Sequence, residues 1–161
     1  MGDIKRKTNR FARPRKMFDS ARISMENDLV KKFGLKNKRE IWKTAARVSE
    51  LRNQAKKLIP KAEEEKQEFF KRLQSKGLSV NVIADVLALT TEDLLGRRLQ
   101  TIVFNKGLAR TALEARQFIT HKSVYVDGRL VNIPSFMVTK YLENKISVKV
   151  RTLKAAGVHN E

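Results

Sequence analysis

Between residues 97 and 122, six cations (Arg97, Arg98, Lys106, Arg110, Arg116 and Lys122) stand against one acid, Glu114. Ammonium and guanidinium groups at this density build neither a nucleophile nor an acid–base pair. What they suit is an anion site. Arg offers a planar fork that reaches two oxygens of one phosphate, and Lys offers a compact charge. Asn105, Thr111, Gln117 and His121 are interleaved with them and can reach ribose or phosphate oxygens. Arg110, Glu114, Gln117 and His121 recur at spacings of four, three and four, which is one side of a helix. A charged helix side can also be merely solvated, so the pattern alone leaves both readings open.

The charge of the whole chain bears on that choice. It has 161 residues, 35 Lys+Arg and 17 Asp+Glu, for a formal charge of +18. An acidic partner is the first expectation, nucleic acid ahead of an anionic membrane surface. Residues 1–22 read as a basic arm, with eight cations against Asp3 and Asp19. Its Arg10, Arg13 and Arg15 are candidates for phosphate contact. Lys38, Arg39 and Lys43 extend the candidate set onto the start of a long helix.

Other chemistries have little to work with. The chain has no Cys, and its two His are His121 and His159, so a metal centre is not expected. No catalytic constellation, P-loop, dinucleotide fingerprint or nucleophile elbow is present, so no cofactor and no small-molecule substrate are expected. The N-terminus lacks the apolar stretch of a secretory signal, and no apolar run reaches membrane-span length. The expectation is a soluble intracellular protein without a membrane partner.

The elements that must position these cations are mainly helical. Ser24 can cap a short helix ending at Gly34, and Asn37 to Glu40 resembles a capping box that opens a long helix to Ile59, before Pro60. Ile41, Ala45, Val48, Ala55 and Ile59 give that helix an apolar stripe, while Trp42 reads as packing. Lys61–Lys76 is a charged helix stopped by Gly77, and Ser79 can cap another through Val86. Thr90 and Asp93 open a helix expected to run unbroken to Asn105, with Leu95, Leu99, Ile102 and Val103 inward. Arg97 and Arg98 are expected to face elsewhere. Thr111 to Glu114 is a full capping box for a helix to Thr120, with free N–H groups that favour an anion. Asp127-Gly128 between Val124–Val126 and Arg129–Val131 is a hairpin turn, since both of its central residues need φ > 0. Lys145–Arg151 alternates as a strand, with Ile146, Val148 and Val150 inward. The fold class is therefore α+β: a basic arm (1–22), a helical domain (23–90), a two-helix and small antiparallel-sheet domain (91–151) and a tail (152–161).

Residues Arg98–Val148 closely resemble the S-four RNA-binding domain, in Gly107-Leu108-Ala109-Arg110-Thr111, Glu114-Ala115-Arg116-Gln117, Thr120-His121-Lys122 and Val126-Asp127-Gly128-Arg129 through Ser135. Gly34-Leu35-Lys36-Asn37-Lys38-Arg39-Glu40-Ile41-Trp42 and the basic start resemble the archaeal and eukaryotic form of the small-subunit ribosomal protein family of that name. The resemblance implies a structural constituent of the small ribosomal subunit, in the cytoplasm. It implies a primary binder of small-subunit rRNA that nucleates assembly of the subunit body and contributes to translational accuracy. It also implies neighbouring small-subunit proteins and the mRNA entry path as partners, and RNA contact by the basic side of the helix pair. A ribosome-biogenesis paralogue that binds precursor rRNA is the alternative. The zinc site of some bacterial members does not carry over, since its Cys residues are missing here.

Overall fold

The computed structural model describes residues 11–149. Arg10, Val150, Arg151 and the tail lie outside them, so the expectations placed on those positions do too.

Helix α1 (Ser20–Phe33) begins inside the segment read as an arm, because the Asp19 carboxylate, not Ser24, accepts the Arg22 N–H. It ends at Gly34, where φ is +58°, with the Leu35 N–H returning to the Val30 carbonyl. Helix α2 (Arg39–Leu58) buries Ile41, Val48 and Ala55 and stops before Pro60. Asn37 contributes its backbone carbonyl to Glu40 N–H, not a side-chain cap, and Lys38 occupies the cap position without a side-chain bond. The expected capping box is absent because the Glu40 carboxylate is engaged elsewhere.

Helix α3 (Glu63–Ser75) buries Phe69, Phe70 and Leu73. Its end is closed by backbone alone: Gly77 N–H reaches the Gln74 carbonyl and Leu78 N–H the Leu73 carbonyl. Helix α4 (Ile83–Ala88) is opened by Asp85, not Ser79. The Asp85 carboxylate accepts the N–H of Asn81 at 2.8 Å and of Val82 at 3.1 Å.

The expected helix from Thr91 to Asn105 is two helices, α5 (Thr91–Gly96) and α6 (Leu99–Asn105). The cause is a distant segment. Residues 134–138 cross the junction, where Leu99 N–H donates to the Phe136 carbonyl and Val138 N–H to the Arg97 carbonyl. Arg98 and Met137 form an antiparallel bridge there. The apolar periodicity is shared by both halves, so the break leaves no mark in it.

Helix α7 (Ala112–Thr120) follows a tight turn at Gly107. Strands β1 (Val124–Val126) and β2 (Arg129–Leu130) form the expected hairpin, with φ of +51° at Asp127 and +74° at Gly128. After the short helix α8 (Lys140–Glu143), β3 (Ile146–Val148) pairs with the other side of β1. The antiparallel sheet has order β2-β1-β3, with Val126 opposite Arg129 and Ile146. The α+β class is as expected.

Three apolar clusters hold these elements. Val48, Phe69, Leu73, Val86 and Leu94 join α2 to α5. Leu99, Ile102, Ala115, Ile119, Val124, Val126 and Ile146 join α6 and α7 to the sheet. Phe33, Leu35, Ile41 and Leu95 form a smaller cluster that ties α1 and α2 to α5.

Candidate RNA-binding face

The six cations of residues 97–122 divide into two groups. Three are turned inward. The Arg98 guanidinium is 7% exposed and pairs with Glu40 at 2.5 Å. Arg116, 20% exposed, pairs with the other Glu40 oxygen at 2.9 Å. Arg97, 17% exposed, pairs with Glu143 at 2.9 Å and also donates to the carbonyls of Lys76 and Val138. The expectation that these three sit as free cations on an outer face is corrected. Fixed carboxylates occupy the forks that would receive phosphate.

Glu40, at the start of α2, is the centre of this arrangement. Burial by itself raises a carboxyl pKa. Hydrogen bonds from Arg116 and Arg98, with their charges, outweigh it and hold Glu40 below the ordinary glutamate value. Gln100 lies beside it, buried. Its amide donates to the carbonyls of Phe33, Gly34 and Ala112, and its oxygen accepts from Arg116. One polar network thus fixes the end of α1, the start of α2, α6 and α7. The local pattern marks Glu40 only as a cap residue and does not mark Gln100, because both act through residues far away in sequence.

A second carboxylate is used in the same way. Glu26 of α1 is buried and accepts from Arg22 at 2.7 Å and from the Trp42 indole N–H at 2.9 Å, with Lys38 at 3.4 Å. Burial raises its pKa, but the bonds from Trp42, Arg22 and Lys38 bring the net shift below the ordinary value. Trp42 packs as expected and also takes Phe11 against its ring at 6.1 Å. Lys38 is therefore partly neutralised. Arg39 lies over the Phe11 ring and is exposed, as are Lys43, Arg13 and Arg15.

What remains exposed around α7 is a smaller set. Arg110 and Lys122 flank the two ends of the helix and make no ion pair among the described residues. Gln117 and His121 lie exposed between them, and Asn105 and Lys106 are exposed at the end of α6. The Lys106 ammonium touches the Glu143 carbonyl, which leaves its charge uncompensated. The N-terminus of α7 is not open as expected. Thr111 Oγ1 accepts Glu114 N–H at 3.1 Å, and the Glu114 carboxylate accepts Arg110 N–H at 2.6 Å. A carboxylate already sits where an anion would go, so the side chains must carry the attraction.

Lys122 has a backbone peculiarity. Its φ is +60°, and the next residue, Ser123, closes α7 by donating to the Phe118 carbonyl at 2.9 Å. This is the left-handed position after a helix, which glycine fills without steric cost. Holding Lys there costs about 1 kcal/mol or more.

Among the described residues no group of three or more His, Asp or Glu could hold a metal ion, and no helix is long and apolar enough to cross a membrane.

A model of the S4 domain family matches residues 97–140, which run from the α5–α6 junction to the start of α8. The chain is similar to the small ribosomal subunit protein uS4 of Methanococcus aeolicus, 39% identical, with 100% of this chain and 95% of that protein covered. It is similar to uS4 of Thermoplasma acidophilum at 40% identity, covering 99% and 84%. For uS4 of Thermoplasma volcanium the identity is 42%, covering 91% and 78%.

Proposed function

Because the chain belongs to the uS4 family of small ribosomal subunit proteins, we propose that it is a structural constituent of the small subunit. Its rRNA contact runs along the exposed side of α7 and the turns at either end. The observation that carries this reading is the separation of the cations. Arg97, Arg98 and Arg116 are held by internal carboxylates, while Arg110 and Lys122 are presented outward with Gln117 and His121 between them. The strained backbone at Lys122 supports it, since a charge is kept where glycine would be the easier residue. Arg13, Arg15, Arg39 and Lys43 extend the basic surface along α2.

The finer role follows the same reading. The protein works in the cytoplasm, within the ribosome. It binds small-subunit rRNA early, nucleates the subunit body, meets neighbouring small-subunit proteins and contributes to accuracy near the mRNA entry path. No reaction is assigned to it: the surface offers charge and shape, with no reacting group at its centre. A biogenesis paralogue is the weaker reading, because the likeness to uS4 runs through the N-terminal helices as well as the S4 segment.

The test is sedimentation of the tagged protein from cells, joined to filter binding on protein-free small-subunit rRNA. The expected result is stoichiometric migration with mature small subunits and polysomes, and salt-sensitive binding to the rRNA. Presence on precursor particles alone would favour the paralogue.

A further inference from the structure

Asp127-Gly128 is the one place in the chain where an Asp or Asn precedes Gly. That pair has a chemistry of its own. The nitrogen of the following residue can attack the aspartate Cγ, and Gly hinders the attack least because it lacks a Cβ. Here the pair is open to solvent. The β1–β2 pairing ends at Val126 and Arg129, so both turn residues lie outside the ladder. The Gly128 N–H makes no hydrogen bond among the described residues. A Cβ placed on Gly128 would meet no atom within 4 Å, and the Asp127 side chain is 51% exposed. Asp19, Asp85 and Asp93 differ on both counts. Their carboxylates accept backbone N–H groups at helix starts, and Ser20, Val86 and Leu94 follow them.

Asp127 is restrained by one residue of the neighbouring segment. Its N–H donates to the Lys145 carbonyl at 3.0 Å, and its Oδ1 pairs with the Lys145 ammonium at 3.0 Å. The ammonium is seated on Tyr141: it donates to the hydroxyl and lies 4.0 Å from the centre of the ring. Bonds to Tyr141 and to Asp127 raise the Lys145 pKa above the ordinary lysine value, so this charge persists at neutral pH. Tyr141 is otherwise exposed and packs in none of the three apolar clusters. For the Cγ to reach the Gly128 nitrogen, the carboxylate must leave Lys145 and the Asp127 backbone must rotate out of its left-handed conformation.

We propose that Asp127-Gly128 is a site of isoaspartate formation, and that Lys145, seated on Tyr141, holds the reaction in check. The carboxylate takes up a proton from solvent, the Gly128 nitrogen attacks Cγ, and the N–Cγ bond forms as a Cγ–O bond breaks. The departing oxygen leaves as water with that proton and the amide proton. Water then opens the succinimide. Cleavage at Cγ restores aspartate; cleavage at the main-chain carbonyl leaves Gly128 bonded through Cγ. Mass is unchanged, and nothing is oxidised or reduced. The product carries one extra main-chain atom in a two-residue turn. Val126 can then no longer stay opposite both Arg129 and Ile146, and the buried Val124 and Val126 lose their register.

The experiment ages the purified full chain at physiological temperature and neutral pH. Isoaspartate is counted by enzymatic carboxyl methylation with labelled S-adenosylmethionine and located by electron-transfer fragmentation of a digest. The wild-type protein should accumulate it slowly, at residue 127 ahead of every other position. Lys145→Gln should accumulate it about two- to fivefold faster, the factor set by loss of one exposed ion pair. Tyr141→Phe should fall between the two. Val48→Ala, in the other apolar cluster, controls for general loosening of the fold and should match wild type more closely than Lys145→Gln does. Absence of isoaspartate at residue 127 in Lys145→Gln would overturn the site. A rate in Lys145→Gln equal to wild type, or matched by Val48→Ala, would overturn the part given to Lys145.

Discussion

Lys122 joins backbone strain to surface charge at one residue. Replacing it with Gly relieves the left-handed conformation and should raise stability by about 0.5–1 kcal/mol, after allowing for the greater freedom of Gly in the unfolded chain. The same change removes a cation, so affinity for rRNA should fall while the urea midpoint rises. Lys122→Asn is the control, because Asn tolerates the left-handed region without carrying charge. Equal rRNA affinity in all three proteins would mean that the strain serves something other than RNA. At Glu40 the sign of the effect is electrostatic. Its carboxyl lies below the ordinary glutamate value in the folded protein. Its stabilisation is therefore fully present above about pH 4.3 and is lost as pH falls through the depressed folded value. Glu40→Ala leaves the nearly buried Arg98 and Arg116 facing each other without a counter-charge, and should cost about 3–5 kcal/mol at neutral pH. The difference in stability between wild type and variant should shrink in acid. A constant difference from pH 7 to pH 3 would show that Glu40 acts through packing alone.

At the scale of elements, local chemistry was legible and distant chemistry was not. The hairpin at Asp127-Gly128 could be read directly because its signal is a backbone requirement within a few residues, and both positions have positive φ. Asp127→Val forces a β-branched residue into that region and should cost about 1–2 kcal/mol in chemical denaturation. Asp127→Asn should be nearly neutral, since the pair with Lys145 is largely exposed. The break between α5 and α6 could not be read, because it is made by residues 134–138 reaching the junction from far along the chain. Misassigned caps have a related cause. Ser24 and Ser79 have the right residue type, but Asp19 and Asp85 lie at the helix starts that packing selects, and a carboxylate there also meets the helix dipole. The alternation of β3 was visible, and Ile146 is buried as read.

For the whole molecule, the excess of positive charge was plain from composition, but its distribution was not. The carboxylates that neutralise Arg97, Arg98 and Arg116 lie 46, 58 and 76 residues away. Spacing within a helix carries no trace of such partners, so the local pattern marks Arg97, Arg98 and Arg116 as cations without showing that each is paired inside the fold. The fold withdraws three arginines to join the S4 segment to the N-terminal helices and leaves other cations for solvent. A salt titration can test that division. If about eight phosphates are neutralised on small-subunit rRNA, log K should fall against log[salt] with a slope of about −6 to −7. A cation that is free in the unbound protein contributes to this slope, because its phosphate sheds counterions when contact forms. A cation already paired inside the protein does not. Arg110→Gln should therefore flatten the slope by about 0.7–0.9 with little change in melting temperature. Arg98→Gln should do the reverse: it lowers the melting temperature by breaking the Glu40 network and leaves the slope of the folded fraction unchanged. If Arg98→Gln flattens the slope as much as Arg110→Gln, then Arg98 leaves Glu40 for phosphate when RNA binds, and the network must be read as a switch instead of a joint.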